Sequence, residues 1–285
     1  INASAKFKLR PKDHCGFSSL RSILSTGSPL FEEDFDYVYE HIKPSVQLSS
    51  ISGGTDIVGC FALGNPMLPV RRGELQSVSL GYPVKAYDTN GHSIKNETGE
   101  LVCEAPCPSM PIYFWNDPKN DTYKASYFSV YPGKWHHSDF IILYDHGGVK
   151  MLGRSDATLN RAGIRIGTAE IYRVVESVNG VKDSLVIHLD KADMMILFVH
   201  LDDGVAFNAD LNRNIQQQLK QSCSPRHCPN RIYPITAIPY TKNGKKVELA
   251  VKHIFMNNDH KINTASLLDI RALDDYRTIK DTHFQ

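Results

Sequence analysis

The sequence has no long apolar run, no excess of one charge and no segment of low complexity. Because no stretch of about 18 residues is both apolar and uncharged, we do not expect a membrane-spanning helix. The first residues also lack the apolar core of a secretory signal. Lysine and arginine number 32 against 31 aspartates and glutamates, which gives a formal net charge of +1. With so little net charge, a nucleic acid is not an expected partner.

Cysteine is scarce, with six residues in a chain of 285. The only near pairs are Cys103/Cys107 and Cys223/Cys228, and such spacings are poor zinc signatures without a second matching pair. We therefore expect free thiols in a reducing compartment and predict a cytoplasmic (cytosolic) protein. The chain begins with Ile1 instead of methionine, and we expect it to start inside a longer protein.

The pattern of apolar residues changes once, near Asp156, where we predict a boundary between residues 1–155 and 156–285. The first part predicts two helices, at 16–24 and 30–42, with Ser28 as cap and Pro29 at the first position of the second helix. Short strands are predicted to follow, at 46–51, 74–80, 84–87, 100–104 and 140–144.

The second part alternates between helices and strands. Ile171, Val174, Val175 and Val178 recur at helical spacing, which predicts an amphipathic helix over 168–179. The remaining predicted elements are strands at 184–189 and 194–201, a helix at 208–223, a strand at 232–235 and a helix at 247–256. The fold class predicted for the whole chain is therefore α/β and α+β.

Polar clusters on predicted loops are the first candidates for binding. Residues 25–29 are too few, and lack the lysine, for a phosphate-wrapping loop, so in isolation they indicate a strand-to-helix turn. Residues 52–56 follow a predicted strand, and their paired glycines permit close approach of the backbone to a ligand. A hydroxyl followed by a carboxylate, as in Thr55 and Asp56, can bind a phosphate and Mg²⁺. In isolation, this cluster also fits a glycine turn with an aspartate cap.

Two further clusters carry histidine, aspartate and arginine. Residues 135–140 contain adjacent histidines, which point to opposite faces of a strand, so a shared metal ion is not expected. Asp139 instead suits the two hydroxyl donors of a ribose, because a carboxylate only accepts hydrogen bonds. Arg154 and Arg165 flank a glycine-bearing loop, and guanidinium groups suit fixed phosphates. The alternative for this loop is a solvated basic surface.

A lysine turn lies near the end of the chain, at residues 238–246. Lys245 follows Asn243 and Gly244, a dipeptide that is typical of turns, so its ammonium group can be presented away from its own domain. An exposed turn with solvated lysines is the ordinary alternative.

The order of these clusters resembles the superfamily of acyl-CoA synthetases, luciferases and adenylation domains, along nearly the whole chain. Residues 153–169, GRSDATLNRAGIRIGTA, are similar to its signature at the junction of the large and small domains. Residues 239–245 resemble its C-terminal lysine motif, with Tyr240 and Asn243 as variations. The resemblance implies that residues 1–155 form the β-rich C-terminal portion of the large AMP-binding domain. Residues 156–285 would form the small α+β lid domain.

The family pattern also implies roles for single residues. Those at the nucleotide would be Gly27, Ser28 and Pro29 at the adenine, Thr55 at the α-phosphate, Asp56 at Mg²⁺, Asp139 and Arg154 at the ribose hydroxyls, and Arg165 near phosphate. Asp156 would be the hinge of the lid, Gly163 would line the coenzyme A tunnel, and Lys245 would catalyse adenylation.

The acyl substrate follows from a finer resemblance. Gly53, beside Gly54, stands where the acetyl-CoA synthetase branch has a tryptophan that walls the acyl pocket, and glycine there leaves room for a longer acid. Residues 53–56, 135–140 and 245–252 are most similar to the acetoacetyl-CoA synthetase branch. The resemblance implies an acid–CoA ligase that uses acetoacetate, ATP, Mg²⁺ and coenzyme A, with release of pyrophosphate.

Two alternatives stay open beside acetoacetate activation. One is a ligase for another short or medium acid, such as propionate or butyrate. The other is a non-catalytic nucleotide-binding fragment. One departure from the family bears on both: residues 1–285 contain no Ser/Thr/Gly-rich phosphate-binding loop ending in lysine. We therefore expect the chain to be an incomplete part of the enzyme and inactive alone.

Overall fold

The computed structural model describes residues 1, 4–5, 7–157, 159–161, 164–242 and 244–284, except for the side chains of 160, 161, 164 and 165. The described chain divides into two compact units, Ile1–Ser155 and Asp156–Gln285. No helix among the described residues is long and apolar enough to cross a membrane.

The α-helices of the described chain are α1 (Glu32–His41), α2 (Asp121–Tyr127), α3 (Thr168–Glu176), α4 (Ala209–Ser222), α5 (Glu248–Phe255) and α6 (Asp274–His283). Its strands are β1 (Ser22–Ser25), β2 (Gln47–Ser50), β3 (Ser52–Gly54), β4 (Gly59–Leu63), β5 (Ser77–Val78), β6 (Val84–Tyr87), β7 (Ser93–Ile94), β8 (Thr98–Cys103), β9 (Trp135–Leu143), β10 (Val149–Arg154), β11 (Leu159–Arg161), β12 (Ile164–Ile166), β13 (Val181–Leu189), β14 (Met194–Leu201) and β15 (Arg231–Ile235).

The first unit combines a parallel strand pair with two antiparallel sheets. Strands β1 and β2 run parallel and are joined through α1, as a parallel pair requires a crossover. Strands β3, β4 and β5 form a small antiparallel sheet, and the largest sheet has the order β10-β9-β8-β6-β7. The core of the first unit includes Phe61, Leu101, Trp135 and Ile141, all fully buried.

The second unit has a central sheet of three strands in the order β13-β14-β15. Val186 and Leu197 pack into a core cluster with residues of α3 and α4, while Leu185 and Phe198 pack into another with residues of α5 and α6. Both faces of the sheet are thus covered. This explains why residues 185–187 of β13 and residues 194–199 of β14 are continuous apolar runs instead of alternating ones.

The predicted mixed fold is confirmed, and the helices predicted at 168–179, 208–223 and 247–256 appear as α3, α4 and α5. The helix predicted at 16–24 is wrong. Residues Ser22–Ser25 form β1, because they pair in parallel with β2 over their full length. A four-residue pattern is too short for periodicity to separate a strand from a helix.

The start of α1 also differs from the prediction. The helix begins at Glu32, so Ser28 and Pro29 precede it and do not serve as its cap and first position. The backbone N–H of Phe31 instead donates to a carboxylate oxygen of Asp34 at 2.9 Å. Residues 26–31 are thereby left as a loop after the carboxyl end of β1.

Two irregularities in neighbouring strands bring Asp139 opposite Arg154. The register of β9 against β10 shifts between Met151 and Gly153, after which Arg154 pairs with Asp139. In β9, Ser138 has a φ of 60°, a left-handed conformation that is uncommon for a residue other than glycine. A shift of one residue reverses which face a side chain occupies, so these irregularities decide where both charged groups point.

The left-handed conformation of Ser138 predicts an unusual order of stability among substitutions. Because a β-branched residue is strongly disfavoured there, Ser138→Val should be less stable than Ser138→Gly by about 1–3 kcal/mol in urea unfolding. The matched control is Lys85 in β6, which is outside the set of positive-φ residues. There, Lys85→Val should be more stable than Lys85→Gly. The same order at both positions would contradict the assigned conformation.

Candidate functional site

Asp56 lies at the turn between β3 and β4 and is held by a tyrosine. The Tyr127 hydroxyl donates to its Oδ2 at 2.6 Å, and the N–H of Ile57 donates to Oδ1 at 3.2 Å. The Tyr127 ring stacks on Trp135, with centroids 3.6 Å apart and planes at 12°. Burial, together with the neighbouring carboxylate, raises the pKa of Tyr127, so this phenol stays a donor.

Trp135 also orients His137 in the same strand. The indole Nε1–H donates to His137 Nδ1 at 3.3 Å, and the imidazole packs on the Phe61 ring with centroids 4.4 Å apart. Because Nδ1 accepts, the neutral ring carries its proton on Nε2. That atom lies 3.9 Å from Asp139 Oδ2. The histidine is therefore a positioned neighbour of Asp139.

Asp139 and Arg154 form a cross-strand pair at the end of β9 and β10. The closest charged atoms, Arg154 Nη1 and Asp139 Oδ1, are 3.7 Å apart, and Nη1 also donates to the carbonyl oxygen of His137 at 2.9 Å. Asp139 is 9% exposed, whereas Arg154 is exposed. The pair thus has one nearly buried carboxylate and one guanidinium that solvent can reach.

Gly53 and Gly54 form the tight inner edge of the β3–β4 hairpin. A Cβ at Gly53 would clash with the carbonyl oxygen of Gly59, and one at Gly54 would clash with the Asp56 carboxylate and lie 3.0 Å from His137 Cε1. Glycine at position 53 is therefore required by the backbone of β4, whereas a side chain at position 54 would have to displace the Asp56 carboxylate. A tryptophan at Gly53 would separate the two strands before it could fill a pocket.

The loops after β1 and β2 lie at one edge of the parallel pair. The N–H of Ile51 donates to the Ser25 carbonyl at 2.8 Å, so the segments that follow β1 and β2 begin side by side. Gly27 has a φ of 96° and is exposed with Ser28, and Thr55 is exposed on the next loop. Ligands commonly bind beyond the carboxyl ends of parallel strands, which suits Gly27 and Ser28, whereas Thr55 follows the antiparallel strand β3.

The first unit therefore brings Gly54, Asp56, Asp139 and Arg154 into one neighbourhood, through His137 and Trp135. No sequence motif singles out Tyr127 or indicates a role for His137. Tyr127 is 71 residues from Asp56 along the chain, and no local motif joins them. The only sequence signal for these contacts is the density of aromatic residues from 113 to 137.

In the second unit, Asp156 is the first residue, and it is exposed. Gly163 and the side chain of Arg165 lie outside the described residues. Lys245 is exposed on a tight turn: its N–H donates to Thr241 Oγ1 at 3.1 Å, and its carbonyl accepts from the Thr241 N–H at 2.8 Å. The candidate catalytic ammonium is thus presented to solvent from a hydrogen-bonded turn.

The next residue, Lys246, faces the interior of the same unit, although no sequence motif indicates this. Its Nζ lies 2.5 Å from Glu176 Oε1 and 2.7 Å from Asp183 Oδ1. Burial raises the pKa of Glu176 in this cluster, while the lysine opposes that shift. A buried charge of this kind is retained only when it is paired.

Metal binding by side chains alone is not supported in the part of the chain that the structure describes, which holds no group of three or more suitable ligands. Mg²⁺ commonly binds through one or two carboxylates and completes its shell with substrate phosphates and water. Asp56 fits that mode, since each of its oxygens accepts one hydrogen bond in the structure and retains a further lone pair.

Comparisons with known proteins relate the chain to one group of enzymes. It is 48% identical over 276 residues to an acetoacetyl-coenzyme A synthetase of Rhizobium meliloti (strain 1021), covering 96% of this chain and 42% of that protein. It is 42% identical over 279 residues to an acetoacetyl-CoA synthetase of Mus musculus, covering 96% of this chain and 41% of that protein. The chain thus spans less than half the length of these relatives and matches their C-terminal part. No protein-family model matches it.

Solved structures agree with the sequence relatives. An acetoacetyl-CoA synthetase from Streptomyces lividans superposes with a TM-score of 0.89 at 38% identity, covering 98% of this chain and 44% of that one. An anthranilate CoA ligase in complex with anthranoyl-AMP superposes with a TM-score of 0.67 at 20% identity, covering 87% and 47%. The second likeness concerns the fold alone.

The Tyr127–Asp56 bond predicts a measurable loss of stability. Tyr127→Phe keeps the ring on Trp135 but removes a hydrogen bond to a charged group, so the free energy of unfolding should fall by about 1.5 kcal/mol. As a control, Tyr131→Phe removes a bond to the Asp88 carbonyl, and the loss should be about 0.5 kcal/mol. Equal losses in urea unfolding would show that Tyr127 does not hold the carboxylate.

Proposed function

We propose that this chain, related over most of its length to the acetoacetyl-CoA synthetases, is the C-terminal part of an ATP-dependent acid–CoA ligase. In the reaction, acetoacetate attacks the α-phosphorus of ATP and releases pyrophosphate. The thiol of coenzyme A then displaces AMP from the acyl-adenylate to give acetoacetyl-CoA. The observation that carries the proposal is the grouping of Asp56, Asp139 and Arg154 around the hairpin of residues 53–54.

In this proposal, the nucleotide binds to the first unit. Asp139 would accept hydrogen bonds from the ribose hydroxyls, since a carboxylate only accepts and this one lies beside Arg154 and His137. Arg154 would donate to the same sugar. Gly27, Ser28 and Pro29 would line the adenine, because a glycine-containing loop permits close approach to a flat ring. Arg165 is proposed to approach phosphate.

We propose that three residues interact with the phosphates or with their metal ion: Thr55, Asp56 and Lys245. Thr55 would donate to the α-phosphate, and Asp56, fixed by Tyr127, would hold Mg²⁺. When bound, Mg²⁺ would neutralise charge on the phosphate oxygens. The exposed ammonium of Lys245 would stabilise the negative charge that builds as the carboxylate attacks, an electrostatic effect that is usually large in such reactions.

The two half-reactions need different groups at the reacting carboxyl, and a division into two units would let one unit move between the two steps. We propose residues 1–155 as part of the large AMP-binding domain and residues 156–285 as a lid that turns about Asp156. After adenylation, the lid would carry Lys245 away and admit coenzyme A, with Gly163 along its path. Lid motions of this kind commonly complete a catalytic site for one step at a time.

The choice of acetoacetate is supported by relatives of that name, and Gly53 and Gly54 are proposed to border the acyl pocket. A ligase for propionate or butyrate is the alternative within the same fold, and comparing kcat/KM for the three acids separates them. All six cysteines are free thiols, which supports the cytosolic location that we propose.

The test needs the upstream part that relatives carry. We suggest a hybrid in which this chain replaces the corresponding part of the Rhizobium meliloti relative, with which it shares 48% identity. The hybrid should form acetoacetyl-CoA from acetoacetate, ATP and coenzyme A. Residues 1–285 alone should release no pyrophosphate, since they contain no phosphate-binding loop. Failure of a folded hybrid to activate any acid, with nucleotide binding intact, would favour the non-catalytic alternative.

Lys245 should serve only the first half-reaction. In the hybrid, Lys245→Ala should lower acetoacetate-dependent pyrophosphate release by about 100- to 1000-fold, because one electrostatic contact to the developing charge is lost. It should still convert synthetic acetoacetyl-adenylate and coenzyme A to product. The control is Lys242→Ala, an exposed lysine of the same turn, which should leave both rates nearly unchanged. Equal loss of both half-reactions in Lys245→Ala would contradict the assigned role.

A further inference from the structure

Two adjacent lysines on one turn have opposite environments. Lys245 is exposed, whereas the side chain of Lys246 is only 15% exposed. Neighbouring residues on extended backbone point to opposite sides, and Lys246 forms a bridge with Tyr240 across the turn. The inward direction of one lysine therefore accompanies the outward direction of the other.

The ammonium of Lys246 is bound by three groups that lie outside the turn. Besides Glu176 at 2.5 Å and Asp183 at 2.7 Å, it donates to the backbone carbonyl of Ser184 at 2.7 Å. It also lies 4.1 Å from the centre of the Tyr172 ring, within the range of a cation–π contact. Since α3 ends at Glu176 and β13 contains Asp183, the lysine ties the turn to two rigid elements.

The other side of the turn reaches the same carboxylate. Tyr240 donates its hydroxyl to Asp183 Oδ2 at 2.7 Å, while Lys246 binds Oδ1. Both ends of the turn that carries Lys245 are therefore fixed to one aspartate. Between them, the N–H of Gly244 donates to the carbonyl of Thr241 at 2.9 Å. The base of the turn is held by charge and its tip by backbone hydrogen bonds.

We propose that Lys246 is the positioning residue for Lys245: its buried ion pairs hold the turn in the one conformation that presents Lys245 for adenylation. The proposal rests on the function proposed above for Lys245. It assigns no contact between Lys246 and substrate, because the Lys246 ammonium is used within its own unit. It requires adenylation to depend on Lys246 more strongly than thioester formation does.

The first experiment is independent of catalysis and uses the 285-residue chain. In Lys246→Met, which keeps an unbranched side chain of similar length, amide hydrogen exchange over residues 239–247 should accelerate at least tenfold. Exchange in β13 and β14 should stay within about twofold. The matched control is Lys252→Met, since Lys252 also pairs with an aspartate of the second unit, Asp190, at 2.8 Å, but lies in α5. That control should leave the turn unchanged.

The second experiment measures the two half-reactions in the hybrid. Lys246→Met should lower pyrophosphate release by about 10- to 100-fold and alter thioester formation from synthetic acyl-adenylate by less than threefold. Lys252→Met should leave both within twofold. Tyr240→Phe, which removes the second link to Asp183, should lower only pyrophosphate release, by a smaller factor. If the unsubstituted hybrid is inactive while the turn still loosens in Lys246→Met, the proposed function fails and the anchoring stands.

Two results would overturn the positioning role. One is an unchanged exchange rate over residues 239–247 in Lys246→Met. The other is an equal fall in both half-reactions together with lower protection throughout the second unit, which is the signature of a residue that merely supports folding. If Lys246→Met does not fold, Glu176→Gln provides the same comparison. It removes the charge of one partner of Lys246 and preserves the shape of that partner.

Discussion

The site in the first unit depends on one buried ring, that of Trp135. One face of the indole stacks on Tyr127, whose hydroxyl holds Asp56, and its N–H donates to His137. A fully buried tryptophan in a central strand has little freedom to move. Trp135 therefore contacts both the tyrosine that holds the candidate metal-binding carboxylate and the histidine whose Nε2 lies 3.9 Å from Asp139. The precision of the site is a consequence of packing in the core of that unit.

In the second unit, the candidate catalytic residue is positioned by ion pairs instead of aromatic packing. Lys246 and its two carboxylates lie where side chains are largely removed from water, so each ion is costly unless it is paired. Removing the lysine would leave Glu176 and Asp183, which both bind its ammonium, without the cation between them, and like charges repel. The ion pairs of Lys246 therefore restrict the conformation of the base of the turn. That restriction leaves the exposed tip of the turn, with Lys245, free to serve a ligand.

Motif and periodicity predicted different parts of this molecule with different success. The amphipathic helices of the second unit were predictable, because the residues that α3 and α5 bury recur at helical spacing along the sequence. β1 was not, since its strand character comes from parallel pairing with β2, about 25 residues away. Sequence motifs indicated Asp139, Arg154 and Lys245 as candidates. The residue that holds Asp56, Tyr127, and the carboxylate that binds Lys246, Glu176, lie 71 and 70 residues away from their partners, and contacts over such separations leave no local pattern.

The supporting contacts also explain why substitutions at the glycines are poor probes of the acyl pocket. A side chain at Gly53 meets the backbone of β4, and one at Gly54 meets Asp56, so either change would disturb the hairpin that carries the candidate phosphate-binding residues. An effect on the choice of acid could then arise from displaced nucleotide contacts. Specificity is therefore better examined by varying the acid than by varying Gly53. The close packing at this hairpin therefore couples the two proposals, because the residues proposed for the acyl pocket and those proposed for the phosphates lie on the same short hairpin.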